Sequence, residues 1–582
     1  MAISNQSKKM ESEIVENVQK NDNLWLLKSI FSLSGKSGGA DGGGAAPPKQ
    51  NQLIPFLSPI ANSVVVRCTK ILGISSEELQ HHFDGELPDN VKQPPLYARS
   101  FLEFCSYKAL DMAITRPNYL NDKEFRRLTF DMMLAWEVPG IDTKPQGDLQ
   151  EAASCSNQEV EDEDGWSLFY SNSTKMAVQV DDKKTVGLEA FARIAPACPV
   201  IADIITVHNL YDVLTSSSSS RLHFLIYDKY LRSLEKVTKS VPTVVGPQFI
   251  SQLSLAEDEI IIDIDGVVPT QPVLQHIGMS AWPGRLTLTK YAIYFESGVG
   301  IYDKAVRYDL ATDMKQVIKP ELTGPLGARL FDKAVMYKSA SIAEPVYLEF
   351  PEFKGCSRRD YWLDICLEIM RAHKFTRKYN MKETQQCEAL ARAILGIFRY
   401  RAVKEAFRIS TSNYKTLLCF NLAESLPGGD MIMETLSSRL ALINVNAGLD
   451  DVLSNLSSSN AKRQQIFPVA LYTLWRLGIV SSKKANTNGE ATCLGGDVYV
   501  GEPNPLETVV KQLKLNTGRA EAAQATVDQV KVEGIDTNLT VMKELLFPLI
   551  QTYNRLQRLA SWKDPYKSMM FMLLFSYIIL RS

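Results

Sequence analysis

Hydrophobic positions recur at two different periods along this chain, and the change of period divides it. Over Leu53–Trp136 the spacing is helical: Phe101, Phe104, Tyr107, Ala109 and Met112 fall near one face, as do Leu128, Met132 and Leu134. The same spacing returns over Val186–Val241, interrupted at Ser216–Ser220, with Leu222, Leu225, Tyr227, Tyr230, Leu231 and Leu234 as the apolar face. These stretches predict an N-terminal helical domain over residues 53–242. Within it, residues 139–165 hold the acidic run Glu159-Val160-Glu161-Asp162-Glu163-Asp164, which reads as a solvated loop rather than a metal site. Ahead of it, Glu11–Ser32 reads as a short amphipathic helix. Gly35–Lys49 is Gly-, Ala- and Pro-rich with nothing to bury, so residues 1–52 are expected to be a mobile segment and linker.

The period shortens to two at Gly284. In Gly284-Arg285-Leu286-Thr287-Leu288-Thr289-Lys290 the leucines alternate with polar residues, and Tyr291–Glu296 is rich in aromatic and β-branched side chains. Val306–Leu310, Ala334–Tyr337 and Val346–Phe350 are further strand-like runs, spaced by turn residues such as Gly298, Pro320 and Gly324. Short strands at such intervals predict an antiparallel sheet or barrel. A helix follows over Asp360–Met370, with Trp362, Ile365, Cys366 and Ile369 on one stripe able to plug the open end. The barrel and helix form a unit over residues 258–380. Helical spacing resumes over 381–480, residues 481–504 read as a loop, and 505–566 as C-terminal helices broken around Gly534. The fold class expected is α+β: a mainly α-helical multi-domain protein with a central antiparallel β-barrel capped by a helix.

The bulk numbers narrow the function class. With 582 residues the chain is long enough for several cores. A net charge of −2, with no basic segment interleaved by aromatics, argues against a nucleic-acid partner. Nine scattered cysteines without a CxxC pair argue against a disulfide framework or a zinc site, and fit the cytosol or the cytosolic face of a membrane. A chloroplast leader is disfavoured, because the first arginine is Arg67 and Glu11, Glu13 and Glu16 come early.

Residues 567–582 form an apolar tail. Met569–Leu580 is unbroken by charge, with Met569, Phe571, Leu573, Phe575 and Ile578 among its apolar positions and Trp562 and Lys563 ahead of it as interfacial anchors would stand. Twelve helical residues rise only ~18 Å, short of a bilayer core. The run is expected to seek a membrane, with packing into a core as the alternative.

Three runs, Trp282-Pro283-Gly284-Arg285-Leu286-Thr287-Leu288-Thr289, Ser357-Arg358-Arg359-Asp360-Tyr361-Trp362 and Ser561-Trp562-Lys563-Asp564-Pro565, make most of Leu53–Ser582 resemble the plant domain of unknown function 639 family. Members usually continue into further apolar segments, so the resemblance implies a shortened form here. It implies no activity, because none is established for the family. Gly284–Glu296, with Phe353, Arg359-Asp360 and the following helix, is similar to GRAM domains of the PH-like superfold. That resemblance implies binding of membrane lipids such as phosphoinositides, or of a protein partner.

Anionic headgroups need converging cations, and the candidates are Arg285, Lys290, Lys304 and Arg307, with Lys315 and Lys319 beyond them. Acids lie among them, so a solvated face is the competing reading. Asp263 and Asp265, in an apolar strand ending DxDGV, resemble the nucleophile and acid/base of haloacid-dehalogenase phosphatases, which use Mg²⁺. That chemistry needs a following parallel sheet, and the antiparallel pattern from Gly284 makes a strand with a tight acidic turn the preferred reading. The six histidines show no metal spacing. Phe398–Phe407, with Arg399, Arg401 and Lys404, is a basic amphipathic helix with a solvated face, or one that lies on an anionic membrane. The expectation is thus a non-enzymatic, membrane-peripheral adaptor or tether without a cofactor. A magnesium-dependent phosphatase is the alternative.

Overall fold

The computed structural model of the protein describes residues 54–140, 184–244 (apart from 217 and 219), 255, 259–297 (apart from 268 and 269), 305–443 (apart from 314, 325–327, 354 and 408–413), 468–480 and 497–581. Side chains of 241–244, 414, 415, 521, 523–541, 544 and 545 are outside this description. The expected N-terminal helix and linker, most of the acidic loop, most of the 481–504 loop and Lys304 therefore lie outside the described residues.

The helical spacing of the N-terminal stretch is realised in α1 (Pro59–Leu72), α2 (Ser76–Glu86), α3 (Pro94–Ile114), α4 (Lys123–Glu137), α5 (Leu188–Ile194), α6 (Val207–Leu214) and α7 (Phe224–Val244). Local chemistry sets the ends. Ser58 caps α1 by accepting from the Ala61 amide at 3.2 Å, and Gly73, at φ 71°, terminates it in the left-handed region that glycine enters without a Cβ clash. A two-residue ladder, β1 (Thr185–Val186) with β2 (Leu222–His223), ties the segment before α5 to the start of α7.

The period-two stretch forms one antiparallel sheet of eight strands: β3 (Ile261–Asp265), β4 (Val273–Ile277), β5 (Ser280–Thr289), β6 (Ala292–Ser297), β7 (Val306–Asp309), β8 (Val317–Thr323), β9 (Phe331–Lys338) and β10 (Val346–Glu349). The order is β7-β6-β5-β4-β10-β9-β8, with β3 pairing β5 beyond the end of β4. Leu286, Leu288, Ile293, Phe295 and Tyr308 point to the core, as the alternation predicts. Strands β4 and β8 escape the sequence pattern, β8 because Pro320 interrupts it. Proline is tolerated there because β8 is an edge strand and needs no donor on its outer side.

The expected closed barrel is corrected to an open sheet. Among the described residues no ladder joins the edges β7 and β8. The chain leaves β7 in a tight turn in which Asp309 accepts from the Thr312 amide at 2.7 Å. Side chains bridge the gap instead: Gln316 Nε2 donates to the Asp309 carbonyl at 2.8 Å, and Tyr337 hydroxyl donates to the same oxygen at 2.5 Å.

After the sheet come α8 (Ser357–Lys378), α9 (Glu383–Phe407), α10 (Cys419–Ser425), α11 (Asp430–Ala441), α12 (Val469–Arg476), α13 (Pro505–Ala560) and α14 (Pro565–Arg581). Trp362, Ile365, Cys366 and Ile369 of α8 are all buried, and Phe350 stacks on Trp362 at 5.9 Å. The central element is α9, buried around most of its circumference between α7, α8 and α12. One hydrophobic core runs from Ile54 to Leu513, so the helices on both sides of the sheet share it. α13 is continuous through Gly534, where a break was expected. An interior glycine costs only about 1 kcal/mol relative to alanine, less than a long helix's neighbouring turns supply.

Candidate functional site

β3 brings Asp263 and Asp265 to one face, two residues apart, and α8 and α9 lie across that face. Asp263 accepts from the Tyr361 hydroxyl, from Arg401 Nη1 at 2.9 Å and from the Ile264 amide at 2.9 Å. Asp265 accepts from Arg358 Nε at 2.7 Å and Nη2 at 2.9 Å, from Trp362 Nε1 at 2.7 Å and from the Gly266 amide at 2.7 Å. Both carboxylates are buried, and burial raises Asp263 above the usual carboxylate range against the pull of Arg401 and Tyr361. Every carboxylate oxygen of the pair is thus taken by a donor of the fold. The strand carrying them is antiparallel to β5, not the parallel strand that the phosphatase resemblance requires. Gly266, at φ 81°, turns the chain away beside Gly284, whose carbonyl would stand 2.6 Å from a Cβ at 266.

The basic helix is likewise absorbed. Arg399 is buried and donates to the Pro199 carbonyl at 2.6 Å; Arg401 holds Asp263; Lys404 lies 4.4 Å over the Tyr361 ring and donates to the Ser357 carbonyl at 3.0 Å. Burial lowers Lys404 below the usual lysine range. The cations of this face of α9 are therefore held by β3, α8 and the Pro199 carbonyl rather than standing free. Sequence reading missed the clamp because its four donors come from two helices; the only local signal was the Arg358–Trp362 run.

The described headgroup candidates, which leave out Lys304, are each engaged or apart. Arg285 Nε donates to Glu296 at 2.5 Å across the β5–β6 register. Lys290 is buried, its ammonium 4.6 Å over the Tyr291 ring. Arg307 is exposed and 3.4 Å from Asp309, Lys319 pairs with Glu321 at 3.1 Å, and Lys315 is exposed. A different set of cations shares a hollow: Arg371, Lys374 and Lys378 line one wall of a cleft of about 410 Å³ between α8, α10 and α11, over Phe375 and Phe420, with Glu424 and Asp430 opposite.

The C-terminal helices carry the exposed apolar surface. Leu506, Val510 and Leu513 dock the first turns of α13 on the body, and Lys511 pairs with Glu507 at 3.0 Å. Beyond these turns, the described large apolar side chains Leu515, Met542, Leu546, Phe547, Leu549, Ile550, Tyr553 and Leu556 are exposed. In α14, Met569, Phe571, Leu573, Phe575 and Ile578 are all exposed, as are Tyr577, Ile579 and Leu580 on its other sides. Trp562 is exposed in the connection, at φ 54°, and Ser568 ties α14 back by donating to the Leu559 carbonyl at 2.7 Å. No described helix is long and apolar enough to cross a membrane.

The molecule is thus a helix-rich α+β protein with an apolar helical C-terminal segment standing out from its body. Residues 503–582, which span α13 and α14, match the family described as plant protein of unknown function (DUF639). Of the three runs that carry the resemblance, Ser561–Pro565 lies inside the matched segment; Trp282–Thr289 and Ser357–Trp362 lie outside it. No curated protein matches the chain.

Proposed function

We propose that the protein is a membrane-peripheral adaptor or tether. α14 dips into the bilayer surface, and the body, with a PH/GRAM-like sheet module at its centre, engages a partner. The observation that carries this reading is the exposure of apolar side chains on every side of α14. About ten half-exposed large side chains leave on the order of 1,000 Å² of apolar area in water, an unfavourable term of roughly 25 kcal/mol at most. A helix apolar all round is stable only when covered, and lipid covers it from every direction at once. Its length, ~25 Å at 1.5 Å per residue, suits a segment lying in or dipping into one leaflet. Trp562, Lys563 and Lys567 stand at its polar end, where a membrane interface holds aromatic and cationic side chains.

The PH/GRAM-like assignment is supported by the run of consecutive antiparallel strands whose first member, β4, pairs the last, β10, and by the single helix that follows and covers the sheet. Because Arg285, Lys290 and Lys319 already have acidic or aromatic partners, a protein partner suits this module better than a headgroup. The test is flotation of the full chain with phosphatidylcholine vesicles, with and without phosphatidylserine or phosphoinositides, beside Leu573→Asp/Ile578→Asp. The wild type is expected to float with all vesicles and the double variant to remain behind. A variant that floats as well as the wild type overturns the membrane reading, and strict dependence on phosphoinositide returns the sheet to lipid binding.

A further inference from the structure

α13 and α14 are both exposed and apolar, but in different patterns. α14 is apolar all round. In the second half of α13 five large apolar residues, Met542, Leu546, Leu549, Tyr553 and Leu556, form one stripe continued by Ala560, with Ile550 and Leu559 flanking it and Phe547 alone standing outside it at a b position among the described side chains. The spacings along the stripe are four, three, four, three and four, the seven-residue repeat of a and d positions. Leu546, Tyr553 and Ala560 stand at a; Met542, Leu549 and Leu556 stand at d. These five large side chains are 44 to 65 % exposed. The opposite side carries Gln551, Asn554, Arg555 and Arg558, also exposed, which lipid on all sides would not tolerate. Pro548 falls at an outer c position, where its missing donor and its ring stay clear of the seam.

A strict seven-residue repeat specifies another helix rather than a bilayer, because lipid has no register and selects only a broad apolar face. We infer that Met542–Ala560 is one half of a parallel two-helix coiled coil whose other half is the same segment of a second copy. A second copy is the occupant that supplies an identical repeat in the same register. Each exposed seam side chain offers about 100 Å², so pairing two seams removes on the order of 1,000 Å² from water, the lower bound for a specific interface. At the flanking e and g positions of the described stretch, Lys543, Ile550, Thr552, Gln557 and Leu559 include a single charge, so no acidic or basic pair opposes association. The parallel sense rests on the membrane reading: α14 of both copies entering one bilayer places the seams side by side, and shared anchoring raises their effective concentration.

The test measures the protein mass of the full chain in detergent micelles by light scattering over a range of concentrations, beside Leu549→Asp/Leu556→Asp, the conservative Leu549→Ile, and the outer-face control Gln551→Asp/Asn554→Asp. Two chains are expected for the wild type, Leu549→Ile and the outer-face control. The seam variant should require at least about tenfold more protein to pair, with helix content by circular dichroism and vesicle flotation retained. A wild type with one chain at every concentration overturns the inference. So does a seam variant that keeps two chains, or one that loses flotation while still paired, which would assign the stripe to lipid. Two seam-dependent chains that fail to float would leave the pairing standing and remove the membrane reading instead.

Discussion

Replacing Asp265 by alanine should loosen the joint between β3 and α8 far more than it affects any reaction. The carboxylate receives two bonds from Arg358 and one from the Trp362 indole, and the paired side chains are 9 and 15 % exposed, so solvent screens them little. Without it, the Arg358 guanidinium keeps only the Gln271 and Pro351 carbonyls, at 2.6 and 3.0 Å, and the indole N–H of a buried tryptophan loses its acceptor. Breaking a buried ion pair by removing one partner costs about 3–5 kcal/mol. The two remaining carbonyls place this case at the lower end, about 3 kcal/mol. That corresponds to a loss of roughly two decades of amide protection, since each 1.4 kcal/mol is tenfold in an opening equilibrium. Hydrogen exchange read by mass spectrometry on β3 and the first turns of α8 measures it directly. Adding Arg358→Met to Asp265→Ala should restore most of the protection, because the unpaired charge goes with its partner. A single variant within threefold of wild-type protection would refute the clamp. It would also reopen a chemical role for the Asp263–Asp265 pair.

Two further perturbations test the packing around that joint. Glu368 and Glu388 reach across to cap the helices after them, accepting from the Phe420 and Asn421 amides and from the Ala470 and Leu471 amides at 2.8 to 3.0 Å. Burial pushes each up to about 7 from a usual 4.5. Between those values the folded chain holds protons that the unfolded chain has released. Stability is therefore greatest below the lower value and falls as pH rises through the window, by at most about 1.4 kcal/mol per pH unit for each glutamate. Urea midpoints at about pH 5 and about pH 8 should show this fall, and Glu368→Gln should flatten it; an unchanged slope would contradict the assignment. At Gly284 an added Cβ meets the Glu296 carbonyl and the Phe295 ring across the sheet. Gly284→Ala should cost about 1–3 kcal/mol in a thermal melt, and an unshifted melting temperature would show that β5 and β6 can separate there.

Local periodicity was enough to place the elements and their faces. Alternation after Gly284 set which side chains of β5 and β6 enter the core, because a strand turns every second residue the same way whatever lies beyond it. Helical spacing likewise placed Trp362, Ile365, Cys366 and Ile369 on the buried stripe of α8, and the unbroken apolar run of Met569–Leu580 marked a segment that water covers poorly. Which polar groups meet follows from the packing of the elements alone. Arg401 lies 138 residues from Asp263, and Arg358 lies 93 from Asp265; no local period encodes such a pairing, so the cations of α9 read as a surface until the sheet is laid under them. Closure of the sheet was equally out of reach, since it depends on where β7 turns off and on whether β8, with its proline, offers an edge. Charge pairing and sheet closure are settled by distance in space, and a linear pattern carries only distance along the chain.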